Sequence, residues 1–419
     1  MSNAQNAFSL AGKGLKLDTK EDLEQHIQPL IDHENVQSLD LSGNTFGVGA
    51  CEALASILKT KTSLTTIDLH DIFTSRLLSE IPPALSALLT AVLECPNVHT
   101  IDLSDNAFGL NTKAPLVDFL AKHTPLRHLI LNNNGMGPIA GTSIAEALTT
   151  LAETKVAARK EGKDVPDLES VVCGRNRLEN GSMIAWAKAY EAHSAGIKSV
   201  KMTQNGIRPE GIDVLISAGL SKCSNLEVFD LQDNTFTYRG AAALATAVGG
   251  WTKLKELGVG DDMLGARGSV KVFEALGSGN SRAVEVLRLQ FNDITPASLK
   301  VLLQTAKELP SLRRVELNGN KFEEEDPSVE ALSELLSERK DEAGEDSDPE
   351  DHWGLDELDE LEGEDSDEEE EEEDEVEADA EEARAKLLKD QDDAEEANVS
   401  QKKDKDVDEL ANELEKTGI

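Results

Sequence analysis

The chain of 419 residues carries 81 Asp and Glu against 41 Lys and Arg, a formal charge of −40 that argues against a general binder of phosphate backbones. The acid is concentrated: Asp341 to Ala380 hold 25 acidic residues and no Lys or Arg, whereas residues 1–320 carry a net charge of only −5. No long uninterrupted apolar window predicts a membrane-spanning helix, and the N-terminal MSNAQNAFSLAGKGLKLDTKED lacks the basic and apolar regions of a signal peptide.

In chain order, SLAGKGLKLD reads as an irregular first strand with Leu15 and Leu17 facing inward, part of an N-terminal cap over residues 1–35. Ten segments follow: SLDLSGNTF, TIDLHDIF, TIDLSDNAF, HLILNNNGM, SVVCGRNRL, SVKMTQNGI, VFDLQDNTF, ELGVGDDML, VLRLQFNDI and RVELNGNKF. They share the pattern apolar-x-apolar-x-x-Asn-x-apolar, with the Asn slot at Asn44, Ile72, Asn106, Asn134, Asn176, Asn205, Asn234, Asp262, Asn292 and Asn320. Seven of the nine intervals are 28 to 30 residues, the period of a long leucine-rich repeat.

Each unit predicts a strand, a turn and a helix. In Leu39-Asp40-Leu41 the alternation places two leucines on one side and the aspartate on the other. The Asn that follows can bond the backbone of neighbouring turns. Stretches such as GIDVLISAGL from Gly211 and AALATAVGGW from Ala242 have helical apolar spacing. One unit cannot bury its own apolar face, so units stack into an α/β leucine-rich-repeat solenoid, a horseshoe with a parallel β-sheet on the concave side and helices outside.

Two departures stand out. Ile72 in an Asn slot predicts a differently shaped turn in DIFTSRLLSEIPPAL, and the 42-residue interval, which contains TKVAARKEGKDVPD, predicts a long surface connection. The repeats run to residue 322, SVEALSELLSERK forms a closing cap helix, and the repeat domain ends at 340. Residues 341–419 are expected to be an acidic disordered tail, in which Ser347 and Ser366, flanked by acid, resemble sites for an acidophilic kinase.

A solenoid offers a broad face rather than a deep pocket. The concave positions are Asp40, Asp68, Asp102, Ile130, Val172, Lys201, Asp230, Gly258, Arg288 and Glu316, half of them acidic. The residues just before each Asn slot line one rim: Gly43, Asp71, Asp105, Asn133, Arg175, Gln204, Asp233, Asp261, Phe291 and Gly319. This polar, varied rim suits one particular partner, and its acidity suggests a partner with a basic surface. The sequence contains no zinc-protease, nucleophile-elbow or phosphate-loop motif. Cys51, Cys95, Cys173 and Cys223 are scattered, as expected of buried thiols in a reducing compartment, and Trp186 and Trp251 are expected in the core.

DIFTSRLLSEIPPAL, LSDNAFG, HTPLRHLILNNNGMGP, CGRNRLENGSM, QNGIRPEGI, LQDNTFT and VELNGNKF, followed by a glutamate-rich tail, closely resemble the Ran GTPase-activating proteins of fungal type, whose repeats are of the ribonuclease-inhibitor kind. The resemblance implies an activator of GTP hydrolysis on the small GTPase Ran that supports nucleocytoplasmic transport, cytoplasmic and perinuclear, and not an enzyme with a substrate of its own. It implies Ran-GTP as partner, with or without a Ran-binding protein, and a monomeric activator without nucleic acid or membrane insertion. It implies no cofactor, GTP and Mg²⁺ belonging to the GTPase. It further implies two catalytic residues: Asn133, which orients the GTPase's own glutamine, and Arg76, accessible in the atypical turn and supporting binding and loop geometry rather than acting as a finger. Where family members can carry a Lys, this sequence has Leu78. Asp71, Asp105, Arg175, Gln204, Asp233 and Asp261 are the partner-binding candidates. Two other readings stay open at this level, a non-catalytic leucine-rich-repeat scaffold or inhibitor and an acidic histone-binding chaperone.

Overall fold

Every predicted repeat forms one three-residue strand, and the strands align in a single parallel sheet. The computed structural model describes residues 6–344 and 353–362 together with Lys389. In chain order the strands are β1 (Ala7–Ser9), β2 (Lys16–Leu17), β3 (Ser38–Asp40), β4 (Thr45–Phe46), β5 (Thr66–Asp68), β6 (Thr100–Asp102), β7 (His128–Ile130), β8 (Ser170–Val172), β9 (Ser199–Lys201), β10 (Val228–Asp230), β11 (Glu256–Gly258), β12 (Val286–Arg288), β13 (Arg314–Glu316) and β14 (Gly354–Leu355). Twelve of them make the main sheet in sequence order, while β2 pairs with β4 beside it.

The register is uniform because the central residue of each strand is apolar. Phe8, Leu39, Ile67, Ile101, Leu129, Val171, Val200, Phe229, Leu257, Leu287, Val315 and Leu355 face one another from strand to strand. A slip of one residue would turn this row outward, and each buried member contributes roughly 1.5–3 kcal/mol. The following apolar residue, Leu41 to Leu317, is buried behind the sheet in the same way. Helices such as Val48–Leu58, Ile81–Val92, Thr237–Val248 and Pro296–Glu308 cover the other side. Helices pack about 8–10 Å apart and strands about 4.8 Å, so the stack must curve with the sheet inside. The expected helix from Gly211 begins at Pro209, then widens into a π-helical turn over Leu215–Gly219, where a Cβ on Gly219 would lie 2.7 Å from the Ala187 backbone. Trp186 and Trp251 are fully buried, and the four cysteines are free and buried.

The Asn slot ties repeat to repeat. The Asn106 side-chain nitrogen donates to the carbonyls of Leu69, Leu103 and Ser104, and its oxygen accepts from the Ile72 N–H at 3.0 Å. The same oxygen role passes along the chain: Asn106 N–H donates to Asn134, Asn134 to Asn176, Asn176 to Asn205, and Asn205 to Asn234. Ile72 therefore occupies the slot with its backbone still in the ladder and its side chain buried. Asp262 accepts from the Asn234 N–H at 2.8 Å, but its second oxygen is buried without a partner. Burial pushes its carboxyl well above the usual range, with the charges of Asp261, Asp230 and Asp233 adding to the effect.

Three sequence expectations are corrected. The first strand of the main sheet is Phe8-centred, not Leu15/Leu17; Leu17 is instead buried in the small β2–β4 pair. The 42-residue interval is mostly helix, since Gly137–Lys160 runs as one element. Lys155 is buried there and its ammonium donates to the carbonyls of Thr124, Leu126 and Pro166 at 2.6, 2.8 and 2.8 Å, closing the extra length against the body. The boundary at 340 also falls short: the last helix is Pro327–Ala343, and β14 from the acidic segment adds to the edge of β13. Asp356 accepts from the Leu317 and Asn318 N–H groups at 2.7 and 3.1 Å, and Leu355, Leu358 and Leu361 pack on the core. An exposed edge strand is thereby covered. Ser347 and Ser366 lie outside the described residues.

A raised carboxyl pKa in the folded state means that the folded chain favours the protonated form, so this contribution is present at low pH and is lost as pH rises. Asp262→Asn, which restores a donor to the slot, is therefore expected to stabilise the protein by roughly 1–3 kcal/mol at alkaline pH. Thermal unfolding of the two proteins should converge near pH 4 and separate toward pH 9, roughly the span from the unfolded carboxylate pKa upward; parallel curves would contradict the assignment.

Candidate functional site

All ten rim residues adopt left-handed backbone, with φ from 48° at Asp71 to 69° at Gly319. Only Gly43 and Gly319 take this conformation without steric cost; Arg175, Gln204 and Phe291 take it against roughly 1–2 kcal/mol each. The backbone holds them there. Asp71, Asp105, Asn133, Arg175, Gln204 and Asp233 each donate their N–H to a carbonyl of the next repeat, at 3.0, 3.0, 2.9, 2.9, 2.9 and 2.9 Å. The positive φ turns each side chain out of the ladder, so that Asp105, Asn133, Arg175, Gln204, Asp233 and Asp261 are exposed while the neighbouring Asn slot is buried. The ladder imposes this conformation at every repeat, whichever side chain the rim displays.

The rim brings three of the predicted residues, Asp71, Asp105 and Asn133, together in one place. His70, Asp71, Thr74, Asp105, Asn133 and Gly135 line an open depression of about 710 Å³. Three consecutive asparagines there divide three tasks. Asn132 accepts from the Gly174 N–H at 2.7 Å, Asn134 sits in the buried ladder, and Asn133 points outward with its amide nitrogen 2.6 Å from Asp105 Oδ1. Asp71 is held by the Thr74 hydroxyl. Arg175, Gln204, Asp233 and Asp261 continue the same rim beyond the depression; burial and then the charge of Asp261 raise the Asp233 pKa.

Arg76 lies in the atypical turn, as expected, but its side chain is turned inward. Its side chain is only 6% exposed and is paired with Asp18. Nε donates to Thr45 Oγ1 at 2.8 Å and Nη2 to the Thr45 carbonyl at 3.0 Å, so the guanidinium bolts the atypical loop to the N-terminal cap. It is not accessible, and it cannot reach a partner without breaking these bonds. Sequence reasoning missed what this leaves on the surface of the same loop: Leu77 and Leu78, 68% and 60% exposed.

Charge on the concave face is also uneven. Asp40, Asp68 and Asp102 lie directly opposite one another in register. Their carboxylates accept from the turn N–H groups of Ser42, His70 and Ser104, and the His70 ring bonds Asp68 at 2.8 Å. Burial alone would lower the His70 pKa, but that hydrogen bond and the charges of Asp68, Asp102 and Asp105 raise it. Burial and the nearby Asp68 raise the pKa of Asp102. Asp68, His70 and Asp102 offer ligand atoms within 4.8 Å of one another, and His70 is engaged with Asp68. Further along, acids meet cations: Lys201 lies 4.0 Å from Asp230, and Arg288 lies 3.2 Å from Glu256 and 3.7 Å from Glu316. Asp40 and Asp102 meet no such cation among the described residues, and they lie on strands leading toward the one that precedes Asn133.

A ladder-linked parallel sheet with an exposed, strained rim defines a leucine-rich-repeat recognition protein, and the leucine-rich-repeat family model matches residues 33–55 and 222–245. The chain is 42% identical over 336 residues to Ran GTPase-activating protein 1 of Saccharomyces cerevisiae, covering 78% of this chain and 81% of that protein. It is 31% identical over 334 residues to the Drosophila melanogaster Ran GTPase-activating protein, covering 79% of this chain and 55% of that one. Ran GTPase-activating protein 2 of Caenorhabditis elegans is 41% identical over 209 residues, of which the match covers 49% of this chain and 21% of the relative. The chain belongs to the Ran GTPase-activating protein family.

Because the left-handed rim is strained for a side chain but not for glycine, Arg175→Gly and Gln204→Gly are expected to keep their stability or gain up to about 1 kcal/mol. Chemical unfolding would measure this, and a loss above about 1 kcal/mol in both would show that these side chains support the fold rather than being displayed by it.

Proposed function

We propose that this chain accelerates GTP hydrolysis by the small GTPase Ran, using Asn133 to orient the GTPase's own catalytic glutamine and donating no arginine. The observation that carries the proposal is Asn133 itself, exposed on a left-handed turn, its amide nitrogen tied to Asp105, just past the end of the strand that follows the acidic row Asp40, Asp68 and Asp102. Phosphoryl transfer to water needs an aligned nucleophile and stabilised charge, and a side chain that stops a mobile glutamine from wandering supplies the first of these. A rigid rim is suited to that task because little freedom remains to be lost on binding.

Burial of Arg76 supports the absence of a finger from the loop, in keeping with a role for Arg76 in holding loop geometry. Arg175, at the next rim position after Asn133, is the exposed guanidinium on which a finger mechanism would depend. GTP and Mg²⁺ enter with the partner, Ran in its GTP form, with or without a Ran-binding protein. The activator acts as a monomer in the cytoplasm, where it sustains the nucleotide asymmetry used by nucleocytoplasmic transport. Among the described residues no helix is long and apolar enough to cross a membrane. Family membership favours this reading over a non-catalytic scaffold or a histone chaperone.

Single-turnover hydrolysis by GTP-loaded Ran, measured at saturating activator, tests it. Asn133→Ala should lose roughly 100-fold or more of the stimulated rate, whereas Arg175→Ala should stay within several-fold of the parent. A stimulated rate that survives Asn133→Ala and collapses with Arg175→Ala would move the mechanism to a finger.

A further inference from the structure

We infer that Asp105 is a positioning residue that fixes the polarity of the Asn133 amide, an inference that rests on the reading of Asn133 given above. A carboxylate accepts hydrogen bonds and donates none, so the atom of Asn133 that faces Asp105 Oδ1 at 2.6 Å has to be the amide nitrogen. A terminal amide otherwise has two nearly isosteric orientations, and an exposed one exchanges between them. Asp105 removes that choice. It leaves the Asn133 carbonyl oxygen as the outward acceptor over the depression.

The neighbouring groups do not compete for this bond. Asp71 is occupied by the Thr74 hydroxyl, Asn132 by the Gly174 N–H, and Asn134 by the ladder. Both partners are held by their backbones as well: the Asp105 N–H donates to the Asn132 carbonyl and the Asn133 N–H to the Gly174 carbonyl, with φ of 59° and 52°. The pair is therefore a fixed donor and acceptor on adjacent repeats, 28 residues apart in sequence.

The direction of the bond has a chemical consequence. With Asn133 Oδ1 facing outward, it accepts an N–H from the side-chain amide of the partner's glutamine. That orients the glutamine carbonyl toward the attacking water, where it accepts a water O–H and leaves a lone pair directed at the γ-phosphorus. Reversing Asn133 would present its N–H₂ to the glutamine, turn the glutamine carbonyl back toward the activator and offer the water a donor instead. The carboxylate of Asp105 thus sets the sense of a chain of hydrogen bonds whose far end it never touches.

Asp105→Asn is the informative variant, because Asn tolerates the left-handed turn and keeps the shape while removing the obligatory acceptor. Single-turnover hydrolysis by GTP-loaded Ran over a range of activator concentrations separates rate at saturation from half-saturating concentration. Asp105→Asn should lower the saturated rate about 10-fold or more, keep the half-saturating concentration within about twofold, and add nothing further in an Asn133→Ala background. Parental rates for Asp105→Asn while Asn133→Ala is impaired would overturn the role of Asp105 alone. A loss confined to half-saturation, or one that multiplies fully with Asn133→Ala, would also overturn it by making Asp105 a direct contact. Parental rates for Asn133→Ala would instead remove the reading on which the inference rests.

Discussion

The structure depends on one repeated hydrogen bond, from the backbone N–H of each slot residue between Ile72 and Asn292 to the side-chain oxygen of the next slot. Three-residue strands supply few ladder bonds of their own, and the sharp turn that follows each strand would bury unsatisfied carbonyls. The Asn amide solves both problems, because one side chain accepts from its predecessor and donates to two or three carbonyls around the bend. An apolar residue can occupy the slot where the backbone alone keeps the connection, as Ile72 does. A carboxyl fits less well, and Asp262 is left with a buried oxygen that has no donor to meet.

The same turn creates the site. Once the slot residue is drawn inward, the residue before it is forced into left-handed backbone and its side chain is thrown outward. The rim is thus a by-product of ladder geometry, available at every repeat, and its chemistry is free to vary because none of these side chains is needed in the core. Around Asp71, Asp105 and Asn133 the displayed groups converge on a depression. There the rim meets the acidic row on β3, β5 and β6, and like charges placed in register are tolerated although they oppose folding. Such an arrangement concentrates negative potential on the strands that lead to Asn133.

One device anchors that region and another closes the far end of the sheet. Arg76 joins the loop to the cap through Asp18 and Thr45, so the depression is anchored to the first repeats rather than to a free surface loop. At the other end, ten residues from the acidic segment act as half a repeat: β14 extends the sheet and Asp356 takes the place that a further turn would fill. A parallel sheet with an open last edge would invite pairing with another chain, and the segment blocks it.

Sequence alone determined the repeat, the strand and helix of each unit, the inward and outward faces, and the membership of the rim, because these follow from a period of apolar residues and from the Asn that punctuates it. It also pointed to Asn133 through the neighbouring motif. The Phe8 strand and the Gly354–Leu355 strand were harder to read, since one lacks the Asn and the other is hidden by surrounding acid. The fate of Arg76 was not readable at all: its partners Asp18 and Thr45 are 58 and 31 residues away, and only folding brings them to the guanidinium. The same holds for the Asp105–Asn133 bond and for the pairing of Arg288 with Glu256 and Glu316, which separates a compensated half of the concave face from an uncompensated one. Periodicity specifies which way a side chain points, but which charge meets which depends on distances across repeats, and only the tertiary structure decides those.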